Sequence, residues 1–309
     1  MSKKHKVADY NRKQGFYLFL MVIPFLVVVF LFHYKPLWGW RTAFYYYKPG
    51  LKLEDCEFVG WKWFTLLFSD KFYLRELKRV MKNTLGMNFL SMGLSWVGPL
   101  FAVFLAEIHS SKYKRVIQTL TTLPNFISWV LVYSIAFALF SYGDGLVNNI
   151  LRKLGLSEGI DFLSDPNHLW VKMWLWGSWK GLGWGAITYL AAIAGIDQQL
   201  YEAAMVDGAS RMQRILHITI PGIVPTYIVL LVLSVGNMIN NGIEQTMMFS
   251  NAFTIADLET LDYYVYNQGV IGGQYSYTTA VGIMKSFISI ALMMAANWIS
   301  KLVRGSTVV

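Results

Sequence analysis

The sequence has few of the residues on which disulfide-stabilised domains and metalloenzymes depend. A single cysteine, Cys56, occurs among 309 residues, which excludes an internal disulfide and any cysteine-based metal site. The five histidines are spread over tails, loops and interfaces, and no two of them have the i, i+4 spacing of a helical metal pair. We therefore interpret them as ordinary loop or interfacial residues and expect no metal site.

Motifs of nucleotide and nucleophile chemistry are also missing. No Gly-x-x-x-x-Gly-Lys-Ser/Thr phosphate loop occurs anywhere, so the chain is not expected to hydrolyse ATP itself. Serines and histidines are present, but none belongs to the nucleophile elbow of a serine hydrolase. The sequence therefore does not support an enzyme, and we expect the chain to bind no cofactor.

Charged residues are scarce and apolar residues dominate. Only 15% of the chain is charged, 55% is hydrophobic, and the mean hydropathy is positive. A soluble domain cannot bury that much apolar surface, so the bilayer is the expected solvent. The 12 Trp and 18 Tyr suit aromatic belts at the two membrane interfaces. The net charge is +9, and the basic residues are scattered between apolar runs. This indicates that they flank the membrane rather than form a nucleic-acid site.

Apolar runs long enough to cross the hydrocarbon core predict an all-α membrane protein with six transmembrane helices. The runs cover residues 16–34, 84–108, 119–140, 170–196, 222–243 and 279–300. The first run is followed by Lys35 and Pro36 rather than by a small-residue cleavage site, so we expect it to remain as an anchor.

The remaining segments complete the predicted organisation. We expect an N-tail at 1–15, an aromatic loop at 35–83, a core domain of five transmembrane helices at 84–302 and a C-tail at 303–309. Within the loop, residues 72–82 place charges on one helical face and apolar side chains on another, which predicts an interfacial helix.

The most specific pattern in the chain occupies residues 200–225. Residues 200–207 favour a short helix, and Gly208 is the usual residue for a left-handed helix end. Ser210 is a good N-cap for a second helix, which we expect to end before Pro221. Two short helices joined by a bend at a glycine form a helix–bend–helix protrusion suited to docking into a partner protein.

This pattern resembles the EAA loop of ABC-importer permeases. The matching positions are Glu202-Ala203-Ala204, Asp207-Gly208-Ala209, Ile218, Ile220-Pro221 and Pro225. In that family the loop is a coupling helix that docks into a groove on a separate ATPase subunit. The resemblance implies a coupling loop at 197–221 and gives the coupling role to Glu202, Ala203, Ala204, Asp207, Gly208, Arg211 and Pro221. An ordinary amphipathic connector is the alternative.

Other segments resemble the carbohydrate branch of these permeases, and in particular the group that imports complex oligosaccharides and polysaccharide fragments. They are residues 34–39, 83–84, 123–129, 143–149, 237–245 and 262–266. The resemblance implies a type I importer permease that forms half of a sugar pathway and works by alternating access. The implied partners are a second homologous permease, two cytoplasmic ATPases that bind ATP and Mg, and an extracytoplasmic sugar-binding protein. Thr219-Ile220-Pro221 departs conservatively from the usual Thr-Leu-Pro.

Basic residues give an incomplete guide to orientation. The overall Lys and Arg counts of the two sides are equal, but the short loop at 109–118 is basic, whereas residues 244–278 contain acids and no Lys or Arg. We place both termini and the coupling loop in the cytoplasm, mainly because the loop needs its ATPase there.

Polar residues within the spans are candidates for the sugar pathway, because each must find a partner or line water. The candidates are Asn237, Asn240, Asn241, Glu244 and Gln245, followed by Asn88, Asn125 and Ser128. On a continuous helix the first group forms two adjacent stripes of i, i+4 pairs. Amides and carboxylates bind sugar hydroxyls, although contacts between helices are the alternative role.

Small residues and lysines within the spans have more than one interpretation. Gly177, Gly181 and Gly185 form a small-residue face that favours helix packing, either within the subunit or across the permease dimer, with a flexible hinge as the alternative. Lys180 and Lys285 are long enough to reach an interface, and buried pairing is equally compatible with the sequence.

Two other classes of membrane protein lack their characteristic features in this sequence. A secondary transporter needs a self-sufficient ion-coupling site and usually internal repeats, and neither is visible. A membrane-embedded enzyme needs a convergent catalytic set, which is also missing. A permease of the same family with a non-sugar substrate remains an alternative.

Overall fold

The computed structural model describes residues 2–156 and 159–304, and the regular structure of these residues is helical. The helices are α1 (Ser2–Val29), α2 (Lys62–Ser69), α3 (Lys71–Gly93), α4 (Val97–Ala106), α5 (Ser111–Thr122), α6 (Trp129–Phe140), α7 (Leu146–Lys153), α8 (Leu169–Ala194), α9 (Gln198–Val206), α10 (Arg211–Arg214), α11 (Ile220–Gly236), α12 (Glu244–Phe249), α13 (Ile255–Leu258), α14 (Leu261–Tyr266) and α15 (Tyr275–Arg304). An isolated bridge joins Tyr45 and Phe58, and the described residues form no strand. The all-α prediction is confirmed.

The chain divides into two compact units. The first combines the residues up to Leu66 with Gln268–Ile283. In it, α1 continues through a π-helical turn (Phe30–Tyr34) and a 3₁₀-helix (Lys35–Phe44), and the apolar side chains of the span are exposed on every side. A small core surrounds Ala43. A helix without a buried face fits a segment surrounded by lipid.

The second unit combines Leu67–Asn267 with the residues from Met284 onward, and α8 runs through its middle. This helix packs against α3, α4, α5 and α11. One apolar core gathers around Met173 and Phe249, and another around Ala186 and Tyr189. Close approach between α8 and α5 requires Gly183, because a Cβ there would lie 2.3 Å from the main-chain carbonyl of Thr121.

Long apolar helices cover four of the predicted spans. By length and composition, Gln14–Phe44, Lys71–Ala106, Arg211–Gly236 and Tyr275–Trp298 can each cross a membrane. The fourth predicted span is α8, whose 26 residues extend about 39 Å. Its five tryptophans, two lysines and glycines make it less apolar than the other four. The count of six spans remains a prediction.

The third predicted span is not a straight helix. Ser111–Phe126 and Trp129–Phe140 meet at an angle of 106°. Ser128 has extended backbone angles, and its Oγ accepts a hydrogen bond from the N–H of Leu131, so it caps a new helix. The prediction of one continuous span at 119–140 was therefore wrong, because the helix is interrupted at residues 127–128.

Two other boundaries differ from the prediction. The prediction of a separate interfacial helix at 72–82 was wrong, because α3 begins at Lys71 and continues into the second span without interruption. Asp70 caps this helix by accepting hydrogen bonds from the N–H groups of Phe72 and Tyr73. The fifth span was predicted to reach residue 243, but α11 ends at Gly236.

Candidate functional site

The coupling loop has the helix–bend–helix form that its sequence predicts. Asp197 caps α9, and Gly208 follows this helix with a φ of +78°. Ser210 then caps α10 in a reciprocal pair with Gln213, in which each side chain bonds to the other residue's N–H. The signals that end one helix and start the next are therefore both confirmed.

The second helix of the loop does not end before Pro221. Helical structure continues from Arg211 to Gly236 through a π-helical turn at Ile215–Thr219. Proline lacks an N–H and crowds the carbonyl four residues earlier, so it normally interrupts a regular α-helix. The π-helical turn before Pro221 forms hydrogen bonds between residues five apart instead of four, which lets the helix continue past the proline. The predicted stop was wrong for this reason.

The predicted coupling residues are placed in different ways. Glu202, Ala203, Asp207 and Gly208 are exposed, and Ala204 is half-buried. Arg211 forms an ion pair with Glu107 at the end of α4, and it also donates to the main-chain oxygen of Glu107. We infer that Arg211 fixes α10 to the rest of the unit.

Exposed apolar side chains on α9 are a feature that the sequence analysis missed. Val206 is 88% exposed, and Met205 and Leu200 are about half exposed. A cluster of exposed apolar side chains beside an acidic residue is typical of a docking surface. The signal was present in the sequence, because these residues flank Glu202 within a single short helix.

A cavity of about 630 Å³ lies in the second unit, and its wall is formed by residues of α3, α4, α8, α11 and the segment at 237–245. Four predicted pathway residues line it: Asn88, Asn240, Asn241 and Gln245. The polar and aromatic lining residues that the sequence analysis missed are Ser91, Ser95, Trp170, Trp174, Ser178, Thr188 and Tyr189. Most of these lie on one face of α8, where a helical period could have identified them.

The other four predicted pathway residues lie outside this lining. Asn237 is exposed, and its side chain donates to the main-chain oxygen of Leu233. Glu244 is exposed at the start of α12. Ser128 caps α6, and the main-chain oxygen of Asn125 accepts a hydrogen bond of 2.7 Å from Lys180.

The predicted pair of polar stripes on the fifth span is wrong. Residues 237–243 are not helical, and Gly242 has a φ of +69°. The i, i+4 relations of Asn237 with Asn241 and of Asn240 with Glu244 therefore do not bring these side chains onto one helical face. The break instead carries Asn240 and Asn241 into the wall of the cavity.

Two amides of the wall have defined partners. Asn88 donates from its Nδ2 to the Oδ1 of Asn241 at 2.7 Å and to the main-chain oxygen of Thr84 at the same distance. Gln245 donates from its Nε2 to the main-chain oxygen of Met173 at 2.8 Å. These bonds orient the side chains across the cavity and leave the remaining amide atoms for a ligand.

Gly177, Gly181 and Gly185 line the cavity instead of packing against a helix of this chain. A Cβ at Gly181 or Gly185 would meet nothing within 4 Å. The predicted packing role within the subunit was therefore wrong for these two positions. Gly183, between them, is the glycine that permits close helix contact, because its face is turned toward α5.

The lysines within the predicted spans are paired. Lys172 bonds to the Oδ2 of Asp165 at 3.0 Å, and Lys285 forms an ion pair with Asp262. Lys180 lies 5.8 Å from the centre of the Trp129 ring in addition to its contact with the Asn125 carbonyl. Burial of an amino group in a membrane is costly without such partners. In the part of the chain that the structure describes, no group of three His, Cys, Asp or Glu residues could hold a metal ion.

The sequence and fold both match known transport proteins. Protein LplB of Bacillus subtilis (strain 168) is 40% identical over 290 residues, which cover 94% of this chain and 90% of that protein. The polygalacturonan/rhamnogalacturonan transport system permease protein YteP of the same organism is 39% identical over 287 residues, with coverage of 92% and 88%.

A solved structure has the same fold. It is the crystal structure of a bacterial alginate ABC transporter in complex with an alginate pentasaccharide-bound periplasmic protein, and one of its chains aligns with a TM-score of 0.84 and 32% identity. The alignment covers 96% of this chain and 98% of that one. Residues 98–305, which include the coupling loop and most of the cavity wall, match the family described as binding-protein-dependent transport system inner membrane component. The chain belongs to this family.

Proposed function

We propose that this chain is the permease subunit of an ATP-driven importer and forms half of the pathway for an oligosaccharide. The observation that carries the proposal is the cavity, which combines amides, hydroxyl groups and aromatic rings. Amides and hydroxyl groups exchange hydrogen bonds with sugar hydroxyls, and the aromatic side chains of Trp170, Trp174 and Tyr189 in the wall suit contact with pyranose rings. The volume lies within the range of about 300–1,000 Å³ that is usual for ligand sites.

The position of the coupling loop explains how a partner could change this cavity. The loop connects the end of α8 to the start of the helix that leads into α11. Both α8 and α11 contribute residues to the cavity wall, including Thr188, Tyr189 and Leu230. A displacement of α9 by an ATPase therefore acts directly on two wall helices, which is the requirement for alternating access.

The proposed partners follow from the family and from the features that this chain lacks. ATP and Mg bind to two separate cytoplasmic ATPases, because this sequence has no phosphate-binding loop. A second homologous permease supplies the other half of the pathway, and an extracytoplasmic binding protein delivers the sugar. The exposed Glu202, Met205 and Val206 form the surface offered to one ATPase. The complex lies in the cell membrane with both termini of this chain in the cytoplasm.

Topology gives the first testable prediction. In a variant without Cys56, a cysteine introduced at the exposed Lys112 should react with an impermeant maleimide only after the cells are opened. A cysteine at the exposed Asp257 should react in intact cells. The reason is the contrast between the basic 109–118 loop and the acidic 244–278 segment. Labelling in the reverse pattern would contradict the proposed orientation.

Blocking the cavity tests the pathway itself. Gly181→Phe places a ring in the cavity, and the Cβ of the new side chain has no neighbour within 4 Å. Uptake should fall about tenfold or more, which corresponds to a loss of about 1.4 kcal/mol. Uptake would be measured with labelled rhamnogalacturonan, alginate and arabinan oligomers, alongside the amount of purified complex.

Gly93→Phe is the matched control for this experiment. A Cβ at Gly93 also meets nothing within 4 Å, but this residue does not line the cavity. We expect its uptake to remain near the wild-type rate. Equal uptake by Gly181→Phe and Gly93→Phe would reject the cavity as the pathway, and uptake of none of the oligomers by the wild-type complex would reject the substrate class.

A further inference from the structure

The non-helical segment at 237–243 carries two of the amides that face the cavity. Asn240 and Asn241 line the wall, and Gly242 bends the chain with a φ of +69°. A helix break inside a membrane protein frees main-chain N–H groups, and each of them must find a partner because lipid provides none. The partner of two of these groups comes from a distant part of the chain.

That partner is the carboxylate of Asp262 on α14. Its Oδ2 accepts hydrogen bonds from the N–H of Asn241 at 2.9 Å and from the N–H of Gly242 at 3.1 Å. Its Oδ1 forms an ion pair with the amino group of Lys285 on α15. Two consecutive N–H groups that converge on one anion form a concave binding site, and the positive φ of Gly242 belongs to such an arrangement.

The two charged side chains of this arrangement are mostly buried. The side chains of Asp262 and Lys285 are only 17% and 16% exposed. Removal of one partner would leave an uncompensated charge in a poorly hydrated region, which is far more costly than removal of both. Lys285 therefore supplies the counter-charge for Asp262, whose carboxylate holds the two N–H groups.

The helix that carries Asp262 is itself fixed to α3. The N–H of Leu261, next to Asp262, donates to the Oγ of Thr84 at 2.8 Å. Asn83 donates to the main-chain oxygen of Glu259 at 3.2 Å, and Arg79 forms an ion pair with the Glu259 side chain. Because α3 also carries Asn88, the same helix supports Asn241 from two directions.

We propose that Asp262 and Lys285 are positioning residues for the transported sugar. Neither of them lines the cavity, so neither is a sugar contact. They act by holding the 237–243 break so that Asn240 and Asn241 face the ligand. This inference rests on the proposed role of the cavity as the sugar pathway.

Three variants separate positioning from charge balance. Asp262→Asn alone leaves Lys285 without a counter-charge. Asp262→Asn with Lys285→Met removes both charges and keeps an amide oxygen for the two N–H groups. Asp262→Ala with Lys285→Met removes both charges and the acceptor. Each is made in the complete transporter and reconstituted in proteoliposomes with the oligomer that the wild-type complex imports.

We expect different kinetics from the two double variants. The single variant should assemble poorly, and both double variants should recover the complex. The variant with asparagine should import with a KM within about threefold of wild type, whereas the variant with alanine should show a KM about tenfold higher at a similar maximal rate. An unchanged KM in the alanine variant, or an equal rise of KM in both double variants, would overturn the proposal.

Gly242→Ala tests the same arrangement without touching the ion pair. A Cβ at this residue meets nothing within 4 Å, so only the backbone conformation is affected. Gly273→Ala is the control, since Gly273 has a φ of +68° and is equally open. We expect a raised KM only for Gly242→Ala, and a wild-type KM would count against the proposal even if the double variants fail to assemble.

The Gly181→Phe variant distinguishes a failure of the positioning role from a failure of the cavity as the sugar pathway. If the phenylalanine blocks import while the Asp262 and Gly242 variants keep the wild-type KM, the pathway stands and the positioning role is rejected. If the phenylalanine does not block import, the pathway itself is rejected.

Discussion

Replacement of Gly208 by valine is expected to reduce import at least about tenfold, equivalent to about 1.4 kcal/mol, while the permease stays in the membrane. Gly208 has a φ of +78°, and a Cβ there would meet nothing within 4 Å. The effect therefore comes from the backbone alone. A left-handed conformation costs an ordinary residue about 1–2 kcal/mol, and a β-branched residue tolerates it least.

That strain is small compared with the stability of a membrane-embedded bundle, but it acts at the bend between α9 and α10. Valine favours a different φ, so it changes the direction in which Glu202, Met205 and Val206 point. A docking surface that points away from its groove binds less ATPase or transmits less movement. The measurement is sugar uptake together with the amount of ATPase that co-purifies with the permease.

Two controls make this test specific. Gly208→Asn should retain more import than Gly208→Val, because asparagine accepts left-handed angles more readily. Gly50→Val introduces the same kind of strain outside the coupling loop, at a φ of +90° and with no neighbour within 4 Å, and it should import normally. Normal import by Gly208→Val, with the ATPase still bound, would mean that this loop is only a connector.

The sequence predicted the coupling loop well because its signals are local. Gly208 ends one helix and Ser210 starts the next, and each acts on neighbours within a few residues. The continuation past Pro221 was not predictable in the same way. It depends on a π-helical turn at Ile215–Thr219, and the residues of that turn are compatible with an ordinary α-helix.

The candidate site was predicted only in part because its key contacts are distant in sequence. Asn240 and Asn241 were identified from their polarity, but their helical spacing suggested a continuous fifth span. The carboxylate that supports the break belongs to Asp262, 21 residues after Asn241. Periodicity describes one element at a time, and it cannot show that an acid in another element replaces the missing helical hydrogen bonds.

The glycines of α8 show the same limit of periodicity. Regular spacing favoured Gly177, Gly181 and Gly185 as the packing face, whereas the close contact lies at Gly183. The position of α5 decides which face of α8 is covered, and the sequence of α8 alone does not contain that information. Regular spacing was sufficient to identify the glycine stretch at 177–185, which lies in the cavity wall.

Gly183→Ala is expected to destabilise the permease strongly. A Cβ at this position would lie 2.3 Å from the carbonyl carbon and oxygen of Thr121 and 2.6 Å from the nitrogen of Thr122. These are backbone atoms, so the overlap is relieved only if α5 moves away from α8 as a whole. Overpacking of this kind costs about 1–3 kcal/mol, and the upper end applies because no side chain can rotate away. For a chain of this size we expect the unfolding temperature in detergent to fall by about 5–10 °C.

Gly181→Ala is the matched control, since it adds the same methyl group one half-turn earlier on the same helix. That methyl group enters open space at the cavity wall. Alanine is also the better helix former, by about 0.8–1 kcal/mol, so the unfolding temperature should stay the same or rise. The two variants are thus expected to differ in the sign of their effect. If Gly183→Ala is as stable as Gly181→Ala, then α5 and α8 do not make their close contact at Gly183.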